Sequence, residues 1–198
     1  MQVIKEISSA EMVGQFLKAE LHSSRFRPGS LKALKMLGLD ETLLETEDYS
    51  NDEANQLREK VLGLCRGWPD EYLFTNFPRD TTWFQVELSF EELKASYRLK
   101  SSEDMPDTER QLSTTADKVM HGETVRNIDN EIIHQICQSI IDKAIIPPII
   151  LVGTSFESKR VLIEGHSRSV AYACLNTLDQ SVPAIMGISK HMDQWEYF

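Results

Sequence analysis

Apolar residues recur at helical spacing through the first third of the chain. Met12, Val13, Phe16, Leu17 and Leu21 mark one amphipathic helix; Ala54, Leu57, Val61 and Leu64 mark another, closed by Gly67. Between them Pro28–Gly29–Ser30 breaks the pattern, and Ser30 reads as the N-cap of a helix Leu31–Leu37 that ends at Gly38. Asp40 is placed to cap a further short helix, and the acidic stretch Glu45–Glu53 reads as a solvated loop. The region to about Gly67 is therefore expected to be helical.

The pattern then changes. Trp68, Pro69, Tyr72, Phe74, Phe77, Pro78 and Trp83 crowd a short segment. Aromatics at that density are costly to leave exposed, so the segment reads as a packed connector. Alternation at Phe84–Leu88 predicts a strand, and Ser89 with Glu92 forms a capping box for a short helix. Residues 101–112 are polar and read as a surface loop, followed by a short helix Thr114–His121. Ile132, Ile133, Ile136, Cys137, Ile140, Ile141 and Ala144 form one apolar helical face, capped by Asp129 or Asn130 and stopped by Pro147–Pro148. The fully apolar run Ile149–Val152 predicts a buried strand. A polar loop, a strand Val161–Glu164, a helix Ser167–Leu175 and a strand Val182–Ile188 complete the chain. Pro183 points to an edge or strand-start position for the last of these. The expected fold is α+β: a helical region with its aromatic connector over 1–83, then a small mixed sheet with flanking helices over 84–198.

Composition narrows the partners. Hydrophobic residues make up 41% and charged residues 26%, as in ordinary globular proteins. The net charge is −10, and the densest basic group is Ser24–Arg25–Phe26–Arg27. Such a chain repels a phosphate backbone, so nucleic acid is not an expected partner; a single cleft with one or two basic groups can still hold a phosphate. Cys65, Cys137 and Cys174 lie far apart without a CxxC pair, which argues against a disulfide framework or a structural zinc site and fits reduced thiols. Charges interrupt every apolar run in Met1–Glu20, and no apolar stretch reaches the roughly 20 residues of a membrane span. A cytoplasmic protein with no membrane partner is expected.

The densest chemistry lies at Glu164–Gly165–His166–Ser167–Arg168. A strand ends there and a helix begins. Gly165 permits a sharp turn and a close ligand approach. The helix start offers free N–H groups and a positive dipole end, a ready anion site. Arg168 in the first helical turn is disfavoured by that dipole unless it meets an anion, either a phosphate or a nearby carboxylate. His166 can donate a hydrogen bond or titrate near neutrality. The alternative reading is structural: Ser167 caps the helix, Glu164 pairs with Arg168, and His166 is packed.

Ile145–Val152, the loop after it, and Val161–Leu–Ile–Glu–Gly–His–Ser–Arg–Ser–Val–Ala171 together resemble the ParB/sulfiredoxin-like nucleotide-binding superfamily. Phe84–Leu93 is similar to that family's opening strand, and Val182–Met186 to the strand after its turn. The likeness spans roughly 84–190, with an insertion near 97–128. The whole chain is similar to bacterial ParB-like proteins with a Glu-Gly-His-x-Arg turn. The resemblance implies phosphate or nucleotide contacts from Gly165, Ser167, Arg168 and Ser169, with His166 and Glu164 as the catalytic candidates. It implies CTP, ATP or ADP with Mg²⁺ as the ligand, for which Glu164, Glu157 and the acidic loop 103–109 are the available carboxylates; no metal ligands are singled out. His166 stands where relatives that partition chromosomes keep a Glu and sulfiredoxins a reactive Cys, so cysteine-sulfinate reduction at this position is excluded. The sequence stops about a dozen residues after the last strand, so the helix-turn-helix DNA reader of the partition proteins is not expected. Three functions follow as expectations: a nucleotide-dependent small-molecule kinase or phosphotransferase, a non-catalytic regulatory or protein-interaction module, and a nuclease. Tyr97–Arg98 and Thr114–Lys118, on the insertion, are candidates to face the turn across a cleft.

Overall fold

A computed structural model describes residues 1–100, 106–126, 128–175 and 181–198. These form an α+β structure around a five-stranded mixed sheet of order β1-β2-β5-β3-β4. The strands are β1 (Gln2–Ile7), β2 (Thr82–Leu88), β3 (Ile149–Gly153), β4 (Val161–Glu164) and β5 (Val182–Ile188). β1 pairs antiparallel with β2, β2 with β5, and β3 with β4; β3 and β5 run parallel.

The period-two alternation of the strands feeds two cores. Trp83, Ile150, Val152, Val161, Ile163 and Ile185 point to one face. There they meet α1 (Ser9–Leu21), α2 (Arg27–Leu37) and α4 (Asp52–Arg66) through Phe16, Leu17, Leu34 and Leu62. Val86, Leu88, Ile149, Leu151, Leu162 and Met186 point to the other face. They pack on α7 (Leu112–Met120), α8 (Asn130–Ile141) and α9 (His166–Cys174) through Leu112, Ile133, Ile140 and Val170. The result is three layers, helices on both sides of one sheet.

The aromatic connector is packed as its composition demands. Trp68, Phe74 and Phe77 meet edge-on or tilted, and Phe77 lies parallel to Trp83 at 6.1 Å. Trp195, near the chain end, closes the group against Phe77 at 5.3 Å and donates its indole N–H to the Leu73 carbonyl. Gly187 on β5 gives Trp83 its room: a Cβ there would sit 2.6 Å from the indole ring.

Several expectations are corrected. The first region is not all helix. Gln2–Ile7 forms edge strand β1 despite its charges, because an edge strand with one solvated face needs little apolar content. The expected boundary at 83/84 falls inside β2, and both halves share a sheet and a core. Ser30 does not cap a helix: α2 starts at Arg27, since Pro28 suits a first turn, and Ser30 is buried inside it. Of the two positions expected for Pro183, edge or strand start, the second holds: it is the second residue of β5, which lies at the sheet centre. Pro183 is tolerated because its parallel ladder with β3 begins only at Ala184. The polar segment 101–112 contains a short helix, α6 (Asp107–Arg110), and its residues 101–105, with part of the expected carboxylate loop 103–109, lie outside the described residues. Among the described residues, no helix is long and apolar enough to cross a membrane.

Candidate functional site

α9 begins at His166, one residue before Ser167. Its N-cap is Gly165 at φ +90°, with no side-chain cap. Glycine is required there twice over: a side chain rarely takes that φ, and a Cβ would lie 2.9 Å from Ile149 Cγ2 and 3.1 Å from an Arg168 Nη. The first bond of the helix runs from Ser169 N–H to the Gly165 carbonyl at 2.8 Å. The N–H groups of His166, Ser167 and Arg168 therefore have no acceptor one turn back, which is the local chemistry of an anion site.

The six residues predicted for this site take different roles. Glu164 is nearly buried. One of its oxygens accepts from Arg168 Nη2 at 2.7 Å and the other from the Gly165 N–H. Arg168 also donates from Nη1 to the carbonyls of Pro147 and Pro148, at 2.6 and 2.8 Å. The Glu164–Arg168 pair thus clamps the turn to the entrance of β3. Ser169 is buried, and its hydroxyl donates to the Gly165 carbonyl. Ser167 stands half-buried at the mouth of the turn. His166 is the exception to this self-sufficiency: its Nδ1 is sealed from solvent with no hydrogen-bond partner among the described residues.

Around His166 the fold gathers positive charge from distant segments. Burial, and then the charges of Arg98, Arg25, Arg66 and Arg168, push its pKa down to about 3. The imidazole is accordingly neutral at physiological pH and a weak base. Arg98 follows Tyr97, which bridges β4 at Val161. It is 5% exposed, and burial lowers its pKa. Its Nη2 donates to the Arg126 carbonyl at 2.6 Å, while Nε and Nη1 are buried without an acceptor among the described residues. A buried guanidinium with donors left unmatched is expensive, and neither carboxylate of the cluster is bonded to Arg98: Glu164 is held by Arg168 and Glu20 by Arg66.

The helical layer completes the cluster. Arg66, at the end of α4, packs over the Phe26 ring at 3.9 Å and pairs with Glu20 of α1. Glu20 is 1% exposed; desolvation lifts its pKa to about 7 against the opposing pull of Arg66, and Glu164 adds to the rise. Arg25 is exposed, with its guanidinium 4.9 Å from the centre of the same Phe26 ring. The sequence offered two signals for these residues. Glu20 occupies an apolar-face position of α1, one turn after Phe16 and two after Val13. Arg25 sits in the densest basic group of the chain. Nothing local links Arg66 and Arg98 to the turn; only the layering of helix on sheet brings them there.

The donor set does not fit a Mg²⁺ ion held by protein carboxylates. Both Glu164 oxygens are occupied and Glu20 is held by Arg66, while Glu157 bonds Ser155 in the β3–β4 loop. Among the described residues no group of three potential ligands converges. No protein-family model, curated protein or solved structure matches the chain.

Proposed function

We propose that this chain binds a phosphate-bearing ligand, and in the ParB/sulfiredoxin-like reading a nucleotide, at the N-terminus of α9. The observation that carries this is Arg98. A buried arginine with two nitrogens lacking an acceptor among the described residues, whose charge acts on the first residue of an uncapped helix, is matched by an oxyanion. The ParB-like reading is further supported by the order of elements: a proline-led β3, its return through β4, a Gly165 turn and a helix. Any Mg²⁺ would arrive on the ligand's own phosphates.

Binding is better supported than turnover. His166 is a poor base at a pKa of about 3, and the two Glu164 oxygens are already engaged. A regulatory module that senses a phosphate ligand is the form of the proposal favoured here over a phosphotransferase. Calorimetric titration with CTP, ATP and ADP, each with Mg²⁺, and with inorganic phosphate tests it. Binding of at least one, without turnover, is the expected result. No heat from any of the four at millimolar concentration overturns it.

A further inference from the structure

Two acidic groups share the cluster with the four arginines, and they are not equivalent. Glu164 is locked on both oxygens by the turn it belongs to. Glu20 comes from another layer, and its ion-pair partner is Arg66, which also acts on His166. The charged and titratable groups facing Glu20 are Arg66 and Cys65 on α4 and Glu164 at the end of β4. Glu20 is thus the resident anion on an arginine whose charge acts on His166 at the start of α9. With Glu20 ionised, four guanidinium groups meet two carboxylates; with Glu20 protonated, they meet one.

We infer that Glu20 is a proton-taking gate of the anion site: the incoming oxyanion replaces its carboxylate on Arg66, and Glu20 accepts one proton from solvent as the ligand seats. This inference rests on the proposed anion site and adds its regulation. The exchange keeps charge in balance, since one buried carboxylate is neutralised as one anion arrives. Burial makes the protonated form cheap. Glu20 already lies near the midpoint of its titration at neutral pH, so a nearby negative charge moves it across. The site is then strongest in mild acid and weakens as pH rises above about 7.

Sulfate is the probe, because it does not itself titrate near neutrality. Isothermal titration at pH 8, in two buffers of different ionisation enthalpy, counts the protons exchanged. The expected uptake approaches about one per sulfate, and affinity falls by up to about tenfold per pH unit above pH 7. Glu20→Gln is expected to bind sulfate with no uptake and a flat pH profile. Should that variant not fold, the wild-type proton count and pH series decide alone. Sulfate binding without proton uptake overturns the role of Glu20 and leaves the anion site standing. Uptake that persists in Glu20→Gln assigns the proton to another group and likewise overturns it. No sulfate binding between pH 5 and 8 removes the site itself.

Discussion

Arg58 and Arg98 are both buried arginines, and the fold treats them in opposite ways. Arg58, 1% exposed on α4, is fully engaged: Nε donates to the Leu43 carbonyl, Nη1 to the Asp48 carbonyl and Asn55 Oδ1, and Nη2 to the Thr46 carbonyl. It stitches the acidic 45–53 segment to the helical layer. Arg110 is similar, spent on the Arg98 carbonyl, Asp107 and the carbonyls of Tyr197 and Phe198. Among the described residues Arg98 makes one such bond and has no acceptor for Nε and Nη1. A satisfied buried charge holds a structure together; an unsatisfied one lowers stability and is kept for something that arrives from outside.

Substitution breaks or sharpens that contrast. The largest effect is expected from Arg58→Met, which removes a fully engaged buried guanidinium and leaves four acceptors without their donor, and should cost about 3–5 kcal/mol in chemical denaturation. Gly165→Val forces a β-branched residue to φ +90° and into Ile149, and should cost about 2–4 kcal/mol while misplacing the turn. A cost as small as that of an ordinary surface substitution would show that the turn is not held as described.

Two groups with displaced titrations should bend the pH dependence in opposite directions. Glu20 keeps its proton to about 7 when folded, against an ordinary 4.5. Its contribution is complete below pH 4.5 and is lost as pH rises to 7, on the order of a few kcal/mol. His166 titrates near 3 when folded, against 6.5. Its contribution is complete above pH 6.5 and is lost as pH falls toward 3. The two slopes oppose each other between pH 4.5 and 6.5. Melting curves of Glu20→Gln should lose the decline toward neutrality, and those of His166→Asn the loss in acid. If neither variant changes its slope, the fold does not displace the titration of these groups.

The smallest stability effect belongs to Arg98→Met. Removing an unpaired buried charge in exchange for an apolar stem should leave stability unchanged or raise it by up to about 2 kcal/mol. A loss as large as that of Arg58→Met would mean that Arg98 is structural too.

This contrast also explains what the sequence could reveal. Helices α1, α4 and α8, the strand Ile149–Gly153 and the packed aromatic connector were legible because apolar period and density report burial directly. The turn at Gly165 was legible because strand, glycine and helix follow one another along the chain. β1 was hidden, since an edge strand carries a weak pattern. Within the site, the sequence admits Glu164 and Arg168 either as ligand groups or as each other's partner, and the geometry gives them to each other. Arg98 was offered only as a residue that could face the turn. Arg66 carried no mark at all, because its place depends on α4 packing across the sheet. Chemistry assembled from separate layers leaves no local spacing to read.

Phosphate binding by Arg98→Met, measured beside the wild-type chain, tests the anion site most directly. At least tenfold weaker binding is expected from a variant whose melting temperature is equal to or above that of wild type. Undiminished phosphate affinity in a folded Arg98→Met protein would contradict it.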